Sequence, residues 1–146
     1  MEVWNSESGK WSNIPPLPLP IHHTTVSAIN GKLYVIGGFV SDMWTPVNTT
    51  YEYDPNKKQW TEKTRMPTKR GALAATVIDG EIYVVGGANR KIFNLVNTPA
   101  LEMYDPIKDV WKKLAPLPTP RDHLTASSFD QKLYAIGGRI DVNYSQ

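Results

Sequence analysis

Apolar residues in this chain fall in short β-rich runs, broken by polar and glycine-containing turns. Leu33–Ile36, Ile82–Val85 and Leu133–Ile136 each read aliphatic–Tyr–aliphatic–aliphatic, and each runs into a double glycine at Gly37-Gly38, Gly86-Gly87 or Gly137-Gly138. No window sustains a helical period between start and stop caps. Upstream of each run lies a second apolar run, small-residue-rich in the case of Ala72–Ile78, as suits an inner strand crowded near an axis. Asn30-Gly31 and Asp79-Gly80 separate the paired runs and suit a tight primed hairpin turn, in which both central residues take positive φ. Asp130-Gln131 holds the third such place, and Gln is less suited to that geometry, so a looser turn is expected. Proline clusters between the runs (Pro15, Pro16, Pro18, Pro20; Pro116, Pro118, Pro120), where a missing N–H costs no ladder bond. The pattern predicts an all-β chain.

The double glycines recur after 49 and then 51 residues, counted between Gly37, Gly86 and Gly137. A period near fifty indicates a repeat architecture. The register extends further. Tyr53-Asp54-Pro55 and Tyr104-Asp105-Pro106 are followed by Trp60 and Trp111, then Pro67 and Pro118, then Arg70 and Arg121. Counting from Trp11 puts Pro18 in register, Ile21 where Arg is expected, and Trp4-Asn5 in the place of Tyr-Asp.

This set of residues resembles the kelch repeat, with two repeats complete and a third split between the ends of the chain. The resemblance implies a kelch-type β-propeller of four-stranded antiparallel blades, about three per chain. Residues 1–146 then form one domain: an outer half-blade at 1–14, blades at 21–63 and 70–114, and an inner half-blade at 121–138. Strands are expected near 24–29, 33–37, 49–53 and 59–63, near 72–78, 82–86, 100–104 and 110–114, and near 123–129 and 133–137, with two more around Glu2–Trp4 and Lys10–Asn13. Three blades do not close a ring, since propellers have about four to eight. Two copies give six blades, the inner half-blade of one pairing with the outer half-blade of the other in a twofold homodimer. The competing explanation is a segment of a longer six-bladed chain.

Composition narrows the chemistry. A net charge of +2 with dispersed lysines does not indicate a nucleic-acid partner. No run has the length of a membrane span, and Met1–Asn5 lacks the basic-then-apolar character of a signal peptide, so a cytoplasmic location is the default expectation. The absence of cysteine removes disulfides, thiolate metal sites and cysteine nucleophiles. His22, His23 and His123 carry no metal-ligand spacing motif, and neither a metal nor a cofactor is expected. Asp54 and Asp105 read as turn caps.

Antiparallel order places the loop entering the first strand and the loop leaving the second on one face. In kelch domains this face commonly carries recognition. Here the entry loops hold His22, His23, Arg70, Arg121, Asp122 and His123. The exit loops hold Phe39, Asp42, Trp44, Asn89, Arg90, Phe93, Arg139 and Asp141. Arginines with aromatics suit an acidic or sugar-like ligand. In kelch domains the loop Arg is commonly structural. The favoured reading is a binding or scaffolding module for a protein, peptide or carbohydrate. The alternative is a sugar-active enzyme of the sialic-acid epimerase type, with Arg121, Asp122 and His123 as the only compact acid/base cluster. Galactose-oxidase chemistry is excluded, because its Cys–Tyr crosslink needs a cysteine.

Overall fold

A computed structural model describes residues 1–41, 43–92 and 94–140; the candidates Asp42, Phe93 and Asp141 lie outside these. The chain begins with the antiparallel pair β1 (Glu2–Asn5) and β2 (Lys10–Asn13). The first four-stranded sheet follows, from β3 (Thr25–Ile29), β4 (Lys32–Ile36), β7 (Thr50–Asp54) and β8 (Gln59–Lys63), in the order β3-β4-β7-β8. The second repeats it with β9 (Ala74–Ile78), β10 (Glu81–Val85), β13 (Leu101–Asp105) and β14 (Val110–Lys113). The chain then pairs β15 (Thr125–Phe129) with β16 (Lys132–Ile136).

The segments leaving the first two double glycines are not the plain loops expected. They fold into small ribbons, β5 (Phe39–Val40) with β6 (Thr45–Pro46), and β11 (Ala88–Lys91) with β12 (Asn94–Asn97). First strands also start later than the apolar runs suggest. The reason is backbone: His23, Ala72 and His123 sit at φ of 53°, 53° and 51°, a left-handed kink that delays entry into the ladder.

The third hairpin turn is as tight as the other two. Asp130 and Gln131 take φ of 49° and 57°, and Phe129 stays paired with Lys132. Gln131 accepts a conformation that costs a non-glycine residue of order 1 kcal/mol. Its Nε2 in turn donates to Asp79 Oδ1 of the preceding turn at 2.8 Å. The outer turns repeat closely as well. Asp54 Oδ1 accepts from the N–H groups of Asn56 and Lys57, Asp105 Oδ1 from those of Ile107 and Lys108, and Asn5 Oδ1 from those of Glu7 and Ser8.

Neighbouring sheets pack face to face. Ile29, Tyr34 and Ile36 of the first meet Leu73, Ile82, Val84 and Tyr104 of the second, with Met66 from the connection between them. Ala74 and Val85 pack in turn against Leu124, with Leu133 and Ala135 of β16 at the margin. The outer strands tie each sheet to the one before: Trp60 Nε1 donates to Pro15 O at 3.1 Å and Trp111 Nε1 to Thr64 O at 2.8 Å. At the inner end a backbone chain links successive sheets, Ala72 N–H to His23 O at 2.8 Å and His123 N–H to Ala72 O at 2.9 Å. No helix among the described residues is long and apolar enough to cross a membrane.

Candidate recognition site at the loop rim

Each entry loop is bridged to its exit segment by a reciprocal backbone pair: His22 with Phe39, Gly71 with Ala88, Asp122 with Arg139. The middle bridge has almost no side chain, and Phe39 fills that space. A Cβ on Gly71 would lie 2.3 Å from Phe39 Cε2, so the close approach of the ring requires glycine. Phe39, Ala72 and Ala88 thus form a buried apolar floor, with Trp44 and Leu95 packed against it.

Above this floor the three histidines and one indole converge. His23 lies 4.7 Å from Trp44 and 5.1 Å from His123, centroid to centroid, and His22 lies 5.1 Å from Trp44. The Nδ1 atoms of His22 and His23 approach to 2.7 Å, so one ring donates and the other must accept through an unprotonated nitrogen. Burial, with His123, His22 and Arg139 nearby, lowers the His23 pKa below the ordinary imidazole value. A shallow pocket of about 550 Å³ lies beside this group, lined by Pro20, Ile21, His22, Ser41 and Trp44.

The third blade contributes a charged corner. Arg139 donates from Nε to Asp122 Oδ1 at 3.1 Å and from Nη2 to Asp122 Oδ2 at 3.4 Å, and the Asp122 side chain is wholly buried. Arg139 Nη2 also reaches His123 Nδ1 at 2.6 Å. A guanidinium cannot accept, so His123 Nδ1 accepts and the ring proton of the neutral form sits on Nε2. Asn97, which the sequence reading missed, fixes this corner by donating to Arg139 O at 2.7 Å and Ile140 O at 2.6 Å. Its only sequence signal is its place in the exit segment, and its role becomes visible only once β11 and β12 are paired.

The expected site residues therefore divide. His22, His23, Trp44, His123 and Arg139 come together at the rim, with Phe39 beneath and Asp122 as a buried anchor. Arg70 does not join them: its side chain is 0% exposed and folds into the second sheet, donating to Gly86 O, Ala100 O, Val84 O and the Glu102 carboxylate. Burial pushes this guanidinium down to about 10, against the opposing pull of Glu102, so it stays charged at neutral pH. Arg121 turns the same way, Nη2 donating to Ala135 O at 2.8 Å, which separates it from Asp122 and His123 and dissolves the expected Arg121–Asp122–His123 cluster. Arg90 reaches across to the backbone carbonyls of Met43 and Trp44 and so ties down the loop that carries the indole. Asn89 is half-buried on β11, opposite Val96. Among the described residues no three His, Asp or Glu side chains are disposed to hold a metal ion.

Four-stranded antiparallel sheets in face-to-face succession, with entry and exit loops gathered at one end, define a β-propeller segment. The chain belongs to the kelch-repeat family: the KLHDC2/KLHL20/DRC7 Kelch-repeats domain matches residues 1–138. It is 36% identical to Kelch-like protein 35 of Mus musculus over 95% of its length and 22% of that protein's. It is 30% identical to Kelch-like protein terF of Aspergillus terreus, over 95% of this chain and 32% of that one. Kelch-like ECH-associated protein 1A of Danio rerio is 33% identical over 84% of this chain and 19% of its own. The chain thus spans between 19% and 32% of the length of these relatives. The solved structure of YjhT superposes with a TM-score of 0.73 at 25% identity, covering 86% of this chain and 36% of the other.

Proposed function

We propose that the chain is a recognition module that binds an acidic segment of a partner protein at the rim formed by His22, His23, Trp44, His123 and Arg139. The observation that carries this reading is the convergence of three imidazoles, an indole and a guanidinium above one apolar floor, on loops anchored by backbone bridges to rigid strands. Loops held by a rigid scaffold are where recognition concentrates. The His23 pKa is lowered first by burial and then by the electrostatic influence of His123, His22 and Arg139 against the pull of Asp122, so the secondary contributions describe a locally positive field. Such a field favours a carboxylate, and the indole offers a stacking face for an apolar neighbour on the same ligand. The name of one relative, Kelch-like ECH-associated protein 1A, describes association with another protein, which fits the same class.

Fluorescence anisotropy with a labelled octaglutamate peptide tests this, with octaglutamine as the matched neutral probe. The acidic peptide is expected to bind at least tenfold more tightly, and Trp44→Ala and Arg139→Gln are each expected to weaken it severalfold. Equal binding of the two probes, or binding indifferent to both substitutions, would overturn the reading.

A further inference from the structure

The second sheet contains, as an internal template, the contacts that β15 and β16 lack among the described residues. On β10, Val84 pairs with Glu102 of β13 and Ile82 with Tyr104, and Glu102 meets Arg70 at 3.0 Å and Thr68 Oγ1 at 2.7 Å. One repeat further on, Arg121 and Thr119 hold the places of Arg70 and Thr68, and Ala135 holds that of Val84. Arg121 makes the matching bond to Ala135 O, yet no carboxylate is paired with it among the described residues. The outer edge of β16 likewise pairs with no described strand. Gly86 sits with its hypothetical Cβ 2.7 Å from Arg121 O of the next blade, as Gly37 does from Arg70 O, whereas Gly137 has nothing within 4 Å. The apolar faces agree. Ile29, Tyr34 and Ile36 are 8%, 2% and 0% exposed, while their third-repeat counterparts Phe129, Tyr134 and Ile136 are 74%, 42% and 56% exposed.

The complement of this surface is at the other end of the same chain. β1 and β2 form an outer pair whose Trp4 and Asn5 repeat Tyr104 and Asp105, which puts Glu2 in the place of Glu102. Trp4 and Trp11 are exposed, and a cleft of about 670 Å³ runs between β1 and the β3–β4 hairpin, lined by Glu2, Val3, Ala28, Leu33 and Tyr53 among others.

We propose that two copies of this chain close into one ring, β16 of each pairing antiparallel with β1 of the other, and Glu2 of one copy entering the cradle of Arg121 and Thr119 in its partner. The template fixes the register: Leu133 opposite Trp4 and Ala135 opposite Glu2. It also places the Trp11 indole against Ala115 O, as Trp60 meets Pro15 O and Trp111 meets Thr64 O. Both seams are equivalent, so the assembly closes by a twofold axis and leaves neither the β16 edge nor the β1 edge open to further chains.

Light scattering on the eluting 146-residue chain is expected to give twice 16.4 kDa at micromolar concentration. Charge reversal supplies the sharper test. Glu2→Arg alone and Arg121→Glu alone each put like charges in both seams and are expected to weaken the dimer roughly 30-fold or more. Mixed together, the two variants restore an opposite-charge pair at both seams, and native mass spectrometry is expected to show the heterodimer in excess of either homodimer. Far-UV circular dichroism confirms that each variant is folded, and Glu2 is exposed in the single chain, so its reversal leaves the isolated fold intact. A 16.4 kDa species across this range, a trimer, or variants that mix without heterodimer preference would each overturn the proposal. The monomer outcome would assign the two edges to some other strand donor.

Discussion

Arg70 and Glu102 form an ion pair at 3.0 Å in which the two side chains are 0% and 1% exposed. The pair joins the entry loop of the second blade to its third strand. Removing one partner strands a buried charge, which costs about 3–5 kcal/mol. Glu102→Gln and Arg70→Met are each expected to lower the unfolding free energy by that order. The first blade shows how the same place is filled without charge, since Ile21 and Tyr51 occupy the equivalent positions. The double variant Arg70→Ile/Glu102→Tyr is therefore expected to lose less stability than either single variant. Urea titrations of the three proteins check this.

Gly71→Ala tests the floor beneath the rim. The new methyl group would meet the Phe39 ring at 2.3 Å, and overpacking of this kind costs about 1–3 kcal/mol. Adding Phe39→Leu to the alanine variant is expected to recover part of the loss. Thermal unfolding of both proteins reads the difference.

His23 gives stability a pH dependence of defined sign. His23 has a lowered pKa in the folded chain, chiefly from burial and then from its neighbour His123, so the unfolded chain binds its proton more readily. Its contribution is intact above the unfolded value near 6.5 and is lost as pH falls through that value toward the folded one. Stability is expected to decline between pH 7.5 and pH 5.5, and His23→Gln is expected to flatten that decline. An acidic ligand bound at the rim would oppose it by favouring the charged ring.

Trp111→Phe removes the indole bond to Thr64 O while keeping an aromatic ring beside Tyr104, whose centroid lies 5.0 Å away. A net loss of about 0.5–1.5 kcal/mol is expected, read by chemical denaturation. Trp60→Phe, which breaks the bond to Pro15 O, is expected to cost a similar amount and to loosen the β1–β2 pair specifically. Hydrogen exchange at the amides of Val3 and Ser12 reports that loosening.

The repeat was legible because each of its residues does a local job. Asp54 and Asp105 cap a turn within three residues, and Asn30-Gly31 makes a turn from two adjacent positive-φ residues, so both are visible in a short window. Gln131 was misjudged because its compensating bond goes to Asp79, far away in sequence and adjacent only once the blades stack. The rim was half legible for the same reason. His23 and His123 share a register position, twelve residues after Trp11 and Trp111, but charge type alone does not say which way an arginine points. Arg70 and Arg121 turn inward to backbone carbonyls of their own sheets, Arg70 also to Glu102, whereas Arg139 turns to a buried carboxylate one bridge away. Those choices depend on strand pairing, which no single-residue property encodes.

The backbone chain linking His23, Ala72 and His123 has a direction: each N–H points back to the carbonyl of the preceding blade. A line of amides with one polarity can be lengthened only head to tail. A second copy joining it must therefore stand the same way up, and the flipped arrangement would set donor against donor. In the proposed two-copy ring both rims would then open on the same side, and each proposed ligand site would have a twin around one channel mouth. A partner carrying two acidic segments on a suitable tether would engage both at once, and its apparent affinity would rise by the effective concentration of the second segment without any new contact.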